Sequence, residues 1–210
     1  KTVGRFRGSR PSGTMPTHTR KGAVMKPGLV IVDIQNDYFP GGKMELVGIE
    51  AASRRAAELL KVFRDRGWPT FHVQHVFTNP DAPFFLPNTP GVEIHESVRP
   101  LAGETVVVKH FPNSFRESSL LEKIRGAGAD QLVICGAMSH MCIDATTRAA
   151  ADLGFSCTLV HDACATRDVE FEGRTIPAEQ VHGSFMSALG WAYAKLVSAE
   201  EAVREAAKAK

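Results

Sequence analysis

Several short and unbroken runs of apolar residues constrain what this chain can fold into. The clearest runs lie at residues 28–34, 105–109 and 131–135. A strand with one face in water alternates apolar and polar residues, so unbroken runs are typical of strands buried on both faces. Segments with apolar residues at helical spacing, such as residues 50–66, separate the runs. We therefore predict an α/β fold with three layers, in which helices cover both faces of a six-stranded, mostly parallel sheet.

The pattern places each element of this fold. The predicted strands cover residues 28–34, 69–76, 105–109, 131–135, 155–161 and 191–197. The predicted helices cover residues 50–66, 119–126, 141–153 and 178–189, with a last helix after residue 198. Two S-x-x-E capping boxes, at residues 119–122 and 198–201, are expected to begin helices. Residues 78–100 hold five prolines and show no period, so they are predicted to form a long loop with a role in function.

Residues 1–27 are predicted to form a basic, flexible N-terminal arm, and residues 28–210 a single domain. Residues 1–26 carry seven lysines and arginines and no acidic residue, in a segment rich in Gly, Pro, Ser and Thr. The rest of the chain holds 18 basic and 23 acidic residues, although the whole chain has a formal net charge of +2. A mildly acidic domain does not attract nucleic acid, so we expect no nucleic-acid partner for it.

The cysteines and the hydropathy indicate the compartment. The four cysteines show no CxxC spacing, and a disulfide framework is not expected at this chain length. Three of them are interpreted as buried structural thiols, namely Cys135, Cys157 and Cys164. No run approaches the roughly 18 apolar residues that cross a bilayer. We therefore expect a reduced, cytoplasmic protein without a membrane partner.

Polar residues at three strand ends indicate an active site. In parallel sheets of this type, sites lie beyond the carboxyl ends of the strands. Asp33 comes at the end of the first strand, Lys109 ends the third, and residues 136–142 lead from the fourth strand into a helix that carries Cys142. A carboxylate, an ammonium and a thiol are therefore predicted to converge at one edge of the sheet.

These three groups suit nucleophilic catalysis by a thiol. Only the thiolate attacks, and a free thiol has a pKa of about 8.5. A helix N-terminus and a nearby Lys109 favour the thiolate, while Asp33 takes the proton and returns it to a leaving group. A Cys–His dyad with His140 is the alternative. Because His140 and Cys142 are two positions apart at a helix start, they need not face each other, and Asp33 is preferred as the base.

Three blocks of the sequence resemble the signatures of the isochorismatase-like cysteine hydrolase superfamily. They read LVIVDIQNDYF at residues 29–39, VVVKHFPNSF at residues 106–115 and VICGAMSHMCIDATTRAAADLGF at residues 133–155. Their order and spacing agree with the superfamily over roughly residues 28–200. Nicotinamidases, N-carbamoylsarcosine amidases and ureidoacrylate hydrolases belong to this superfamily. The resemblance implies the isochorismatase-like form of the α/β fold, assembled as a homodimer or homotetramer.

The resemblance also implies the residues of the site. It implies a catalytic triad of Asp33, Lys109 and Cys142, and a cis peptide bond before Met138. The oxyanion hole would be formed by the backbone N–H groups of Met138 and Cys142. The implied substrate-binding residues are Gln35, Tyr38, Phe111, Phe115 and Met141.

The implied activity is hydrolysis of a C–N bond in a small amide or carbamoyl compound, through a thioester on Cys142. Nicotinamidases carry a metal-binding Asp-x-His motif after the second strand, where this chain reads FHVQH. His72 and His75 are three apart on a strand and point to opposite faces, so we expect no metal and no other cofactor. The alternatives are nicotinamidase activity, cleavage of a vinyl ether as in isochorismatases, or a non-catalytic homologue. Isochorismatases proper use no nucleophilic cysteine, so Cys142 disfavours vinyl-ether cleavage.

Overall fold

The structure, a computed structural model, describes residues 26–208. The prediction of a flexible basic arm over residues 1–27 falls almost entirely on residues outside this range. Within residues 26–208, no helix is both long enough and apolar enough to cross a membrane. All four cysteines lie in the described range, where they are buried free thiols.

A six-stranded sheet forms the middle of the molecule. The strands among the described residues are, in chain order, β1 (Pro27–Val32), β2 (Thr70–His75), β3 (Thr105–Lys109), β4 (Gln131–Ala137), β5 (Ser156–Ala165), β6 (Val169–Phe171), β7 (Arg174–Ile176) and β8 (Lys195–Val197). Strands β6 and β7 lie outside the six-stranded sheet. The sheet has the order β3–β2–β1–β4–β5–β8, and neighbouring strands in it are parallel. The prediction of a six-stranded, mostly parallel sheet is confirmed. The antiparallel hairpin of β6 and β7 was not predicted.

Helices cover both faces of this sheet. They are α1 (Ile49–Asp65), α2 (Leu120–Gly126), α3 (Asp144–Asp152), α4 (Ala178–Ala192) and α5 (Ala199–Lys208). Alternate residues of one strand divide between two apolar clusters, with Leu29 and Ile31 on one face and Val30 and Val32 on the other. Helices α1 and α5 pack in the first cluster, and α2, α3 and α4 pack in the second. Burial on both faces explains why the strands read as unbroken apolar runs.

Of three local predictions, two need correction and one is confirmed. The first strand ends at Val32, two residues earlier than predicted, because Asp33 has φ 53° and leaves the extended conformation. The capping box at Ser119 is wrong: Ser119 makes no side-chain cap, and the Leu120 N–H donates to the Ser118 Oγ at 3.2 Å instead. The second capping box is confirmed, since the N–H of Glu201 donates to Ser198 Oγ and the N–H of Ser198 donates to the Glu201 carboxylate.

Candidate active site

Four adjacent strands each bring one polar side chain to the carboxyl edge of the sheet. Lys109 is the last residue of β3, His75 is the last residue of β2, Asp33 follows β1, and Cys142 lies in the turn after β4. Because β3, β2, β1 and β4 are neighbours in this order, their four side chains meet at one place. The structure therefore brings together the three residues that the sequence nominated and adds His75 to them.

Asp33 and Lys109 form a fully buried ion pair. Lys109 Nζ lies 2.8 Å from Asp33 Oδ2, and both side chains are 0% exposed. Lys109 Nζ also donates to the carbonyl oxygen of Pro112 at 3.0 Å. The left-handed backbone of Asp33 is rare for a residue with a side chain, and its N–H donates to the carbonyl oxygen of Val73 on β2. The carboxylate is thus held in place by the backbone as well as by the ammonium.

Cys142 lies in a single π-helical turn, Ser139–Ile143, that continues directly into α3. Its thiol is buried, with only 3% of the residue exposed. The buried Ser139 fixes the start of this turn, because its Oγ donates to the carbonyl oxygen of Ala165 and lies 2.8 Å from His182 Nδ1. The peptide bond between Ala137 and Met138 is cis, as the resemblance implies.

A glycine allows β4 to approach β1 closely just before this turn. Gly136 has φ 127°, a conformation that residues with a side chain rarely adopt. A Cβ atom at Gly136 would overlap the carbonyl group of Val32, the last residue of β1. The close approach sets Asp33 and Cys142, which follow these two positions, beside each other.

The electrostatics of the site favour a charged pair beside a neutral thiol. Burial alone would raise the pKa of Asp33, but the ammonium of Lys109 and the imidazole of His75 outweigh it and lower that pKa. Burial opposes the charge on Lys109, yet the nearby Asp33 and Cys142 raise its pKa overall. Burial and the charge of Asp33 raise the pKa of the Cys142 thiol against the opposing effect of Lys109. The site therefore favours a protonated Cys142 thiol beside a charged Asp33 carboxylate.

His75 lies in the site although it was not among the predicted site residues. Its Nδ1 lies 3.8 Å from Asp33 Oδ2 and 3.9 Å from Cys142 Sγ. His72 points to the other face of β2, as predicted, and its Nε2 lies 2.9 Å from Glu104. The signal was present, because the second strand ends at His75 just as the first and third end beside Asp33 and Lys109.

Two predicted substrate-binding residues have other roles. Gln35 is fully buried, and its side-chain amide is occupied by backbone groups of β2 and the loop after it: Nε2 donates to the carbonyl oxygens of His75 and Val92, and Oε1 accepts from the N–H of His75. Phe115 stacks on Phe155, with 6.3 Å between ring centroids. Since Phe155 precedes β5, this contact lies towards the amino edge of the sheet. Both residues are therefore corrected from substrate binding to support of the fold.

The other three predicted substrate-binding residues remain candidates. Tyr38 is buried beside the site, where burial and then the neighbouring Cys142 and Asp33 raise its pKa. Met141 is 40% exposed in the turn that carries Cys142. Phe111 lies under the guanidinium of Arg116, 3.7 Å from the ring centroid.

Aromatic side chains from the proline-rich loop and from the end of β2 pack beside the site. The Tyr38 ring is 4.6 Å from Phe85 and 5.8 Å from Phe84, and the His75 ring is 4.5 Å from Phe77, measured between centroids. This aromatic group supports the prediction that residues 78–100 contribute to the site.

Two alternative uses of the site can be judged from its geometry. His140 turns away from Cys142, since its Nδ1 lies 2.6 Å from Thr166 Oγ1. Ligand atoms of Asp33, His75 and Cys142 lie within 4.8 Å of one another, a group that could hold a metal ion by distance alone. The Lys109 ammonium lies 2.8 Å from the Asp33 carboxylate and repels any cation placed there. The group therefore suits proton transfer better than metal binding.

Comparison with known proteins agrees with this geometry. The family model described as "Isochorismatase domain" matches residues 27–178. YddQ of Bacillus subtilis, an uncharacterized isochorismatase family protein, is 54% identical over 176 residues, which cover 84% of this chain and 98% of YddQ. A crystal structure of a putative isochorismatase hydrolase from Oleispira antarctica has a TM-score of 0.83 and 53% identity, and the match covers 85% of this chain and 96% of that one.

A further relative has a name that states an activity. The maleamate amidohydrolase of Pseudomonas putida is 29% identical over 162 residues, which cover 70% of this chain and 76% of the relative. The family model spans most of the chain, and the fold and the close relatives agree with it. The chain therefore belongs to the isochorismatase family of hydrolases.

Proposed function

We propose that this hydrolase cleaves a C–N bond of a small amide or carbamoyl compound, with Cys142 as the nucleophile. The observation that carries the proposal is the arrangement of Asp33, whose buried carboxylate lies 2.8 Å from the Lys109 ammonium and beside the protonated thiol. A buried carboxylate kept charged by a lysine is a base that works without metal or cofactor.

In the first half of the proposed reaction, Asp33 takes the proton of the Cys142 thiol. The thiolate attacks the carbonyl carbon and forms a tetrahedral intermediate, whose oxyanion accepts hydrogen bonds from the N–H groups of Met138 and Cys142. Asp33 then gives the proton to the nitrogen of the leaving group, and ammonia or an amine departs from a thioester. Lys109 stays charged throughout and stabilises the carboxylate each time it re-forms.

In the second half, Asp33 removes a proton from a water molecule that attacks the thioester. The C–S bond breaks, the thiolate of Cys142 recovers the proton from Asp33, and the acid or carbamate product leaves. The near-complete burial of Asp33, Lys109 and Cys142 supports this scheme, because bulk water would weaken the electrostatic interactions on which both proton transfers depend.

The relatives support the amide class over the alternatives. A relative named maleamate amidohydrolase shows that this fold family includes hydrolysis of an amide. Nicotinamide is a primary amide and stays within the proposed class as a substrate to be tested. A vinyl ether needs no thiol nucleophile, and a non-catalytic homologue needs no charged base beside one, so the position of Cys142 favours neither.

The proposal is tested by ammonia release from a panel of primary amides and carbamoyl compounds, including nicotinamide. We expect turnover of at least one compound, and capture of the thioester by hydroxylamine as a hydroxamate. Cys142→Ala should abolish both signals, and Asp33→Asn should reduce turnover by at least about a hundredfold, which is typical for the loss of a general base.

The matched control is Cys135→Ala, which removes another buried thiol, from strand β4 just before the turn that carries Cys142. This variant should leave turnover intact. Full activity of Cys142→Ala would refute the assignment of the nucleophile. Pyruvate release from isochorismate, without ammonia release from any amide, would identify vinyl-ether cleavage instead.

A further inference from the structure

The backbone of His75 is held by a side chain that follows Asp33 in the sequence. Gln35 accepts the N–H of His75 at 2.8 Å and donates to the carbonyl oxygen of His75 at 2.9 Å, and it donates again to the carbonyl oxygen of Val92. All of these bonds are buried. The carboxyl end of β2 is therefore fixed relative to the carboxyl end of β1, and His75 has a defined place beside Asp33.

The imidazole ring of His75 is directed at the reacting groups. Nδ1 lies 3.9 Å from Cys142 Sγ and 3.8 Å from Asp33 Oδ2, and the ring packs 4.5 Å from the ring of Phe77. Nε2 is buried and has no hydrogen-bond partner among residues 26–208. Buried polar atoms are normally satisfied, but Nδ1 of His72 on the opposite face of β2 is also buried and unpaired in the described part of the chain, so the case for His75 depends on what its other ring nitrogen faces.

The neighbours of Nδ1 determine which nitrogen carries hydrogen. Nδ1 faces a carboxylate and a sulfur atom, both of which accept hydrogen bonds. A bare Nδ1 would direct its lone pair at these two electron-rich groups, so we assign the hydrogen to Nδ1 in the neutral ring. In the protonated ring Nδ1 carries hydrogen as well. The group that His75 presents to the site is therefore a donor.

We propose that His75 is a further catalytic residue, whose Nδ1–H donates a hydrogen bond to the Cys142 thiolate when that thiolate forms. The inference rests on the proposed function for its place in the reaction. The thiol proton passes to Asp33, and His75 transfers no proton. When Asp33 becomes neutral, the new negative charge on sulfur faces Nδ1–H at 3.9 Å and also interacts with the Lys109 ammonium and with the buried Tyr38. His75 thus stabilises the charge at the step in which it moves.

The test replaces His75 by Asn or Gln, each of which keeps an N–H group near the position of one nitrogen of the imidazole ring. His75→Asn places an amide N–H close to the position of Nδ1, whereas His75→Gln places one close to the position of Nε2. The readout is the rate at which iodoacetamide alkylates Cys142 at neutral pH, followed by mass spectrometry of the peptide that carries it. A hydrogen bond to a charged group supports a decrease of about ten- to a hundredfold for His75→Gln and His75→Ala. His75→Asn should stay within about tenfold of wild type.

The control is His72→Asn, which removes the other buried histidine of β2, on the opposite face, where it contacts Glu104. This variant should be alkylated at the wild-type rate. Equal rates for His75→Gln and wild type, with both proteins folded by circular dichroism, would overturn the inference. So would equal rates for His75→Asn and His75→Ala.

The alkylation readout separates this inference from the proposed function. Alkylation reports the thiolate of Cys142 and needs no amide substrate. One outcome is that wild type turns over no amide while the alkylation rates of wild type, His75→Asn, His75→Gln and His75→Ala follow the expected order. In that case the proposed function fails and the role of His75 stands. If amides are hydrolysed, kcat should fall in His75→Gln in parallel with the alkylation rate.

Discussion

Removal of Lys109 should destabilise the protein by an amount that the site geometry allows us to work out. At the observed 2.8 Å between Lys109 Nζ and Asp33 Oδ2, the attraction amounts to about 6 kcal/mol for an effective dielectric constant of about 20. Desolvation of the two ions offsets much of this gain, but loss of one partner leaves the other charge buried. We expect Lys109→Met, which approximately keeps the side-chain volume, to lower the free energy of unfolding by about 3–5 kcal/mol at pH 7.

The pH dependence of this loss identifies its cause. In wild type the pKa of Asp33 is lowered, so its contribution is present above the unfolded pKa of about 3.9 and is lost only at lower pH. The pKa of Lys109 is raised, so its contribution is lost only as pH rises above about 10.4. Between pH 5 and pH 7 the pair therefore adds no slope to wild-type stability.

Unlike wild type, Lys109→Met should change its stability between pH 5 and pH 7. Without the ammonium, burial raises the pKa of Asp33, and the folded protein takes up a proton that the unfolded chain does not hold. Protonation of a carboxyl group with an unfolded pKa of about 3.9 costs about 4 kcal/mol at pH 7 and about 1.5 kcal/mol at pH 5. Lys109→Met should therefore recover up to about 2.5 kcal/mol of its deficit relative to wild type when the pH falls from 7 to 5.

Urea unfolding followed by circular dichroism at both pH values measures this difference. The matched control is Lys61→Met, which removes an ammonium 2.6 Å from Asp65 on the exposed side of α1. An exposed pair contributes at most about 1 kcal/mol, so this variant should show a small loss at both pH values. A deficit of Lys109→Met that is equally large at pH 5 and pH 7 would refute the reasoning, because a buried carboxylate would then not be its source.

Two further predictions concern stability, one at a glycine beside the site and one at Glu104, which precedes β3 at the amino edge of the sheet. Gly136→Ala should lower the free energy of unfolding by about 3 kcal/mol or more, because the new Cβ would overlap the carbonyl group of Val32. The control Gly183→Ala, on an open surface of α4, should raise the free energy of unfolding by up to about 1 kcal/mol. Thermal unfolding of the two variants checks both expectations. The hydrogen bond from Arg64 lowers the pKa of Glu104 to about 2. The contribution of this carboxylate to the free energy of unfolding is therefore present above about pH 4.3, the pKa of an unfolded Glu, and is lost as the pH falls below that value. Glu104→Gln should therefore be less stable than wild type by about 1–2 kcal/mol at pH 6, after allowance for solvent screening, with the gap closing near pH 2 in urea titrations; a gap independent of pH would contradict this.

The sequence predicted the sheet and most of the site because both follow from local rules. Unbroken apolar runs identify strands buried on two faces, and the ends of parallel strands share one edge. That rule was sufficient to select Asp33, Lys109 and Cys142. It also applies to His75, but the sequence alone indicated only that one of His72 and His75 lies in the core and the other near the rim of the pocket.

The errors come from contacts that a single segment does not reveal. Gln35 follows Asp33 in a polar turn, and nothing in that turn shows that its amide is occupied by the backbone of β2 and of the loop beyond. The two S-x-x-E segments are alike in sequence, yet only the one at Ser198 caps a helix. At Ser119 the preceding Ser118 takes the N–H of Leu120 instead. At Ser119 the competing acceptor belongs to the preceding residue, whereas the hydrogen-bond partners of Gln35 lie far along the chain. A single segment shows neither outcome.

Under the proposed function, the same long-range contacts account for the use of a buried thiol as the nucleophile. Taken alone, the burial of Cys142 is an argument against reactivity, since burial and the Asp33 carboxylate both raise the pKa of its thiol. The neighbouring strands reverse this argument. Lys109 from β3 keeps Asp33 charged and ready to accept a proton, and His75 from β2 lies where the sulfur becomes negative. In the proposed mechanism the thiolate forms only together with the protonation of Asp33, so reactivity depends on the four strand ends acting together and not on the acidity of Cys142.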